Sequence, residues 1–375
     1  MSDRTPVIVG IGEPPVRARS IESEHALGAR AIRAALRDAG VAITDVDGVV
    51  RFDREATWEF DLPGWGRLPR LGFYDAVPRG NGSAPALLRL AAMAVRQGLA
   101  SVVLGFHARN AAFAAGPGMG DGGLRGELVG PAQFQLPLGV GGAAATSALV
   151  FRRYLLRHRA APGVLEAVTV PARRRGARNP RALRRAALTT AEYRRSAYVA
   201  EPLRGADVAP PAAGAVAFVV TTLERARSRR PVAIVGSMQA VIPSALQQLP
   251  EWFRIDRDRA VASASRAMFR RARRRQADVD VVLVDDATSP LVLLGLEDHG
   301  FCRRGGGEAF LRAAGVRVNP HGGQLACGDL DGVGQLLEAV RQLRGDAAVP
   351  VRGARTALVA GSPLEPTSAV LLGRC

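Results

Sequence analysis

Two adjacent carboxylates, Asp285 and Asp286, end the apolar run Asp278-Val-Asp-Val-Val-Leu-Val-Asp-Asp286. A carboxylate at the end of a buried strand can act as a general base, because burial raises its pKa toward neutrality. In open α/β sheets, sites gather at strand C-termini. The alternation of a strand sends neighbouring side chains to opposite sides, so one of the pair is expected to face a pocket. Further on, a glycine-rich loop carries His321, Gly322, Gly323, Cys327 and Asp329 within nine residues. His321 is a candidate acid or base, Cys327 a candidate nucleophile and Asp329 a further candidate base. Arg79-Gly-Asn-Gly-Ser-Ala84 leads into a helical pattern. Ser83 can N-cap that helix, and the amides around Asn81, Gly82 and Ser83 could bind a substrate oxygen. His107 follows a buried strand and can approach the same pocket.

These residues need a frame, and the chain supplies one. Pro6-Val-Ile-Val-Gly-Ile-Gly12 reads as a buried strand, Ile21 to Ala39 as a helix closed by Gly40, and Asp45–Phe52 as a second strand. The unit recurs: a helix runs from Ala84 to Gly98 and a strand from Ala100 to Phe106. Residues 111–143 read as loop with short elements, Ala144–Arg159 as a helix, 160–210 as an excursion from the sheet, and Ala213–Thr222 as a strand. At Pro231–Ser237 the pattern restarts, with a helix near Asp256–Arg274, the strand ending in the two carboxylates, a helix over Asp331–Leu343, and strands at Thr356–Ala360 and Ser368–Leu372. The expectation is an α/β protein of two similar halves, 1–228 with a loop excursion about 111–210 and 229–375, built on a mostly parallel sheet.

Composition narrows the function classes. The chain has 375 residues, 47% hydrophobic and 5% aromatic, so a large core is built from Ala, Val and Leu. Its net charge is +17, with every basic residue an arginine. The arginines are spread along the chain without the interleaved aromatics of a single-strand stacking platform, which argues against nucleic acid as a partner. An anionic ligand, such as the 3′-phosphate of CoA, or an acidic protein is the milder reading. Cys302, Cys327 and Cys375 show neither pairing nor metal spacing. No leader and no run of about 18 apolar residues is visible, so membrane insertion is not expected and a cytoplasmic location is. Gly10-Ile-Gly12 lacks the third glycine and downstream acid of a dinucleotide fingerprint.

Several segments together resemble a family. Val318-Asn-Pro-His-Gly-Gly-Gln-Leu325 looks like the Asn-Thr-Ser-Gly-Gly loop of thiolases of the sterol-carrier-protein or lipid-transfer-protein type. Gly328-Asp-Leu-Asp-Gly332 occupies that family's Gly-His-Pro-x-Gly turn. Leu337–Gly345, Leu294–Cys302, Asn179-Pro-Arg-Ala182 and Ala200-Glu-Pro-Leu-Arg204 are similar to its other stretches. The resemblance covers nearly the whole chain. It implies a thiolase-like fold, a layered α/β/α/β/α core of two βαβ-rich halves, and a homodimer.

It also implies a site whose residues have changed. Asn81 stands where a thiolase keeps its nucleophilic cysteine, Asp285 opens the Asn-Glu-Ala-Phe motif, Asp329 replaces the catalytic histidine, and Ala360-Gly-Ser362 replaces the second cysteine motif. Asparagine forms no thioester, so classical thiolysis is not expected. Some lipid-transfer-type homologues lack the cysteine and act as aldol lyases on β-hydroxyacyl-CoA side chains. Their tyrosine at the Asp285 position is absent here. The expected activity is carbon–carbon chemistry on an acyl thioester, from CoA or a carrier protein, with no other cofactor. An OB-fold/zinc-ribbon partner or an active thiolase homologue would complete it. Two alternatives are a non-catalytic scaffold subunit and a secondary-metabolism acyltransferase or condensing enzyme using Cys327 or Ser83.

Overall fold

The computed structural model describes residues 4–55, 71–110, 136–228, 230–241, 258–364 and 366–375. The first half contains β1 (Pro6–Gly12), α1 (Glu24–Ala39), β2 (Gly48–Phe52), β3 (Phe73–Val77), α2 (Ala84–Gln97) and β4 (Val102–Asn110). After it come α3 (Gly142–His158), α4 (Glu166–Gly176), α5 (Thr190–Arg195), the small ladder β5 (Tyr198–Ala200) with β6 (Leu203–Arg204), and β7 (Ala213–Thr222). The second half contains β8 (Val232–Ala240), α6 (Asp258–Arg271), β9 (Val281–Val284), α7 (Ser289–Asp298), α8 (Gly307–Ala314), α9 (Gly323–Cys327), α10 (Val333–Arg344), β10 (Thr356–Ala360) and β11 (Thr367–Arg374). The helix ends follow local chemistry. Ser23 accepts the Ala26 amide to start α1, and Gly40, at φ 64°, closes it in the left-handed region.

The main strands form one sheet in the order β3-β2-β4-β7-β1-β8-β11-β10-β9. The expected mostly parallel sheet is corrected. Only β2–β3, β2–β4 and β9–β10 are parallel, and the other pairs are antiparallel. Residues 361–366 are too few for a crossover, so β11 must return antiparallel to β10. The repeat is visible in the pairing: β2 beside β4 in one half matches β9 beside β10 in the other. The halves join at β1 and β8 through Val7↔Ala233 and Ile8↔Val232.

Three cores define the layers. Leu27, Ile32 and Leu36 of α1 pack on Val7, Val9, Leu104 and Phe106. Leu87 and Leu88 of α2 and Leu336, Leu337 and Val340 of α10 share a central core with strands of both halves, including Val216, Val220, Val281 and Leu372. Phe151, Leu165, Met268 and Leu293 cover Val282 and Leu358 on the far side. This is an α/β/α/β/α arrangement with α2 and α10 in the middle layer. Each fully buried leucine there contributes about 2 kcal/mol of apolar burial.

Within the expected excursion, residues 142–207 are largely helical, and α3 and α4 pack in the same core as α7. A buried carboxylate ties this layer down. Asp207 accepts from Thr169 Oγ1 at 2.5 Å, Ser289 Oγ at 2.8 Å, Tyr193 Oη at 2.9 Å and its own segment's Arg204 amide at 2.9 Å. Residues 111–135 lie outside the described residues. Among the described residues no helix is long and apolar enough to cross a membrane.

Candidate active site

The site begins where β9 stops. Asp285 and Asp286 follow its last residue, Val284, and both are buried. Asp285 continues the parallel pairing far enough to donate its amide to Ala360 O at 3.0 Å. That bond brings the segment Ala360-Gly-Ser362 beside the carboxylates. Asp285 Oδ1 accepts from Gln324 Nε2 at 2.5 Å, from the Ala287 amide at 3.1 Å and from Asn81 Nδ2 at 3.2 Å. Asp286 accepts from the amides of Gln324 at 2.8 Å and Leu325 at 3.4 Å, and from Gln335 Nε2 at 2.9 Å. The two side chains therefore do not separate across a strand as expected, since they lie past its end, outside the pleat, and both reach residue 324. Burial pushes the Asp286 pKa up to about 7, against the hydrogen bonds that favour its charged form. Gly323, at φ 66°, leaves no room for a Cβ beside Asp286, where it would lie 1.7 Å from Oδ2.

The turn before α2 closes over this floor. Asn81 O accepts the Ser362 amide at 3.1 Å, and Gly82 O accepts the Ser368 amide at 2.9 Å and its hydroxyl at 2.7 Å. Asn81 thus stands between Asp285 and the 360–362 segment. Ser83 differs from expectation: its hydroxyl makes no capping bond to α2, and its amide donates to Gly80 O at 3.0 Å. That amide is spent on the turn, so it is withdrawn from the expected oxyanion-binding group. Gly361 is packed so closely that a Cβ would lie 2.4 Å from Gly82 O and 2.7 Å from Asn81 O. Gly361→Ala must push the Asn81 turn away. The expected cost is about 1–3 kcal/mol, read as a lowered unfolding midpoint, together with reduced turnover.

Asp329 and His107 belong to a second, charged cluster. His107 is fully buried, with Nδ1 against Glu55 Oε1 and Nε2 2.9 Å from Asp331 Oδ2. Arg79 Nε reaches the same Asp331 oxygen at 2.9 Å. Arg109 bridges Asp329 at 3.0 Å and Asp331 at 3.4 Å. Burial alone would lower the His107 pKa, but the charge of Glu55 and hydrogen bonds to Asp331 and Glu55 outweigh it and raise it to about 9. Burial would raise that of Asp331, yet His107, Arg109 and Arg79 hold it well below the carboxylate range. Asp329 is pushed up by burial, against the pull of Arg109. The expectation that His107 binds substrate is corrected, because both of its ring nitrogens are taken by carboxylates. This cluster anchors the loop 328–332 and the entry to the Asn81 turn.

His321 and Cys327 face a small cavity instead. It measures about 30 Å³ and is lined by Glu13, Gln324, Glu338 and Arg341 besides the two. That volume matches one or two waters, not a substrate. Burial, with Arg341 and Arg175 nearby, lowers the His321 pKa to about 3. Its Nδ1 has no hydrogen-bond partner among the described residues. A neutral imidazole with that pKa is a weak base and no acid at neutral pH, which corrects the acid/base expectation. Burial raises the Cys327 thiol well above its usual value. Its Sγ lies 3.4 Å from Asn179 Nδ2 and 3.6 Å from His321 O, so the expected nucleophile is a neutral, hydrogen-bonded thiol. At neutral pH iodoacetamide is expected to modify exposed Cys375 first, with Cys302 and Cys327 following only in denaturant. Rapid loss of three thiols from the folded chain, read by intact mass, would contradict this.

Sequence reading missed Gln324, Asp331, Arg79, Arg109 and Glu55. Gln324 lay inside the loop that drew attention to His321, but a glutamine carries no titratable signal. The others pair across large sequence separations, 252 residues for Arg79 and Asp331, which no local pattern records.

Comparisons with known proteins bear on the fold that carries this site. The family described as "Thiolase C-terminal domain-like" matches residues 244–373. The chain is 33% identical to the 17-hydroxy-3-oxo-4-pregnene-20-carboxyl-CoA lyase of Mycobacterium tuberculosis, over 98% of each protein. It is 30% identical to the steroid side-chain-cleaving aldolase of Thermomonospora curvata, over 98% of this chain and 97% of that one. The solved Ltp2-ChsH2(DUF35) aldolase superposes with a TM-score of 0.90 at 28% identity, covering 99% of this chain and 98% of that chain. With similarity over 98% of its length to relatives 33% and 30% identical to it, this chain belongs to the thiolase superfamily, in its lipid-transfer-protein-type thiolase-like branch.

Proposed function

We propose that the chain cleaves a carbon–carbon bond of a β-hydroxyacyl-CoA by a retro-aldol reaction, working with a DUF35-type partner. Its substrate would carry a bulky, steroid-like side chain, as the relatives' names indicate for theirs. Asp285 takes the proton of the β-hydroxyl. The Cα–Cβ bond breaks, the former β-carbon leaves as a ketone or aldehyde, and the electron pair passes into the thioester as an enolate. Protonation at Cα then releases the shortened acyl-CoA. Asn81 Nδ2 spends one N–H on Asp285 and carries a second, the candidate donor to the enolate oxygen. No acyl-enzyme forms and no cofactor beyond the CoA thioester enters.

The observation that carries this reading is the pairing of Asn81 with Asp285, which sets a carboxylate beside the residue that by resemblance stands at the thiolase nucleophile position. A lyase needs a base there and no thiol. The test is a panel of β-hydroxyacyl-CoA thioesters, given to the chain alone and co-purified with a DUF35-type protein, with products followed by mass spectrometry. The expected result is a carbonyl compound and a shortened acyl-CoA in equal amounts, with unmodified protein mass. A covalent acyl adduct, or no cleavage with the partner present, would overturn it.

A further inference from the structure

Gln324 is the second residue of the five-residue helix α9, and only 4% of it is exposed. All of its polar atoms but its carbonyl bear on the site. Its backbone N–H donates to Asp286 Oδ1 at 2.8 Å. Its side-chain oxygen accepts the Gly332 N–H at 3.0 Å. Its side-chain nitrogen donates to Asp285 Oδ1 at 2.5 Å. The orientation of the amide is thereby forced. A flipped group would turn its NH2 against the Gly332 N–H and its oxygen against the Asp285 carboxylate, losing two bonds and creating two repulsions.

Gln324 also joins separate pieces of the site through one side chain. Gly332 lies at φ 78° at the start of α10, where a Cβ would lie 3.4 Å from Asn81 O. The glutamine therefore connects the start of the central helix with the end of β9, and through Asp285 with Asn81. The three donors to Asp285, from Gln324, Ala287 and Asn81, converge on the same oxygen and come from three separate segments. Convergence on one oxygen fixes the plane of the carboxyl group, which a single donor would leave free to rotate.

We propose that Gln324 is a positioning residue for retro-aldol cleavage: it orients Asp285 toward the substrate hydroxyl while touching no substrate itself. This rests on the reading of Asp285 as the base. Misorienting a proton acceptor by a fraction of an ångström slows transfer without weakening substrate binding, so the loss falls on kcat.

The test is a double-mutant cycle on the chain with its partner protein. Gln324→Met keeps the volume and removes both side-chain bonds. Gln324→Glu keeps an acceptor for the Gly332 amide, removes the donor, and serves if the methionine variant folds poorly. Each is expected to lower kcat about 10- to 100-fold with KM within about twofold. In an Asp285→Asn background the same changes are expected to alter the residual kcat less than about twofold, because a residue acting through Asp285 has nothing left to position. Equal losses in both backgrounds would overturn the proposal and leave the reading of Asp285 intact. Full activity of Asp285→Asn alone would overturn both.

Discussion

Asp285→Asn is expected to lower kcat for β-hydroxyacyl-CoA cleavage roughly 10³-fold, with KM little changed and the unfolding midpoint within a few degrees of the parent chain. The asparagine oxygen can still accept from Gln324, Ala287 and Asn81, since all three bonds end on the same atom, Oδ1. The framework therefore survives while the capacity to take a proton is lost. A general base is worth about 10²–10⁴-fold, and this change removes the whole of it. The measurement is steady-state turnover beside thermal unfolding of the same preparation. A fall below tenfold would move the base elsewhere, and Asp286, whose pKa burial brings to about 7, would be the next carboxylate to replace.

Much of the frame was legible because its signals are local. The glycines that stop α1 and α2, the apolar runs of β1, β7, β9 and β10, and the restart near residue 231 are read from short windows, and the elements stand within a few residues of expectation. Strand direction was not legible. An apolar run such as Ala213–Thr222 is buried on both faces whichever way it runs, so its antiparallel place between β4 and β1 left no mark in composition. The helices within 166–195 were blurred for a related reason. α4 carries Pro171 and a run of arginines, and it is held by packing on its neighbours rather than by propensity.

The site divides in the same way. The positions of Asn81, Asp285, Asp329 and 360–362 follow from motif resemblance, and the structure brings Asn81, Asp285 and the 360–362 segment together. The environment of each residue did not follow. His321 and Cys327 look reactive by type, but burial beside Arg341 and Arg175 keeps the one neutral, and burial keeps the other protonated. Residue type announces a chemistry, while desolvation and neighbouring charge decide whether it is available. Gln324 shows the converse, a side chain without titratable chemistry whose place makes it central.

The charged cluster beneath the Asn81 turn carries the largest expected effect on stability. Asp331 receives His107 Nε2, Arg79 Nε and Arg109 Nη1 in a buried setting, with its own backbone at φ 51°. Asp331→Ala leaves three cationic groups facing a void, and the expected cost is about 3–5 kcal/mol. The pH dependence comes from His107. Its pKa is 6.5 in an unfolded chain and about 9 here, so the folded chain holds the proton more tightly. That contribution is fully present below pH 6.5, declines as pH rises, and is lost above about pH 9. A rise of that size corresponds to roughly 3 kcal/mol, shared with Asp331 because the two shifts describe one ion pair. The unfolding midpoint of the parent chain should therefore fall between pH 7 and about pH 9.5, and that of His107→Gln should be lower at pH 7 and flatter across the same window. Parallel curves for the two proteins would mean that His107 enters the fold uncharged, and that Arg79 and Arg109 alone balance Asp331.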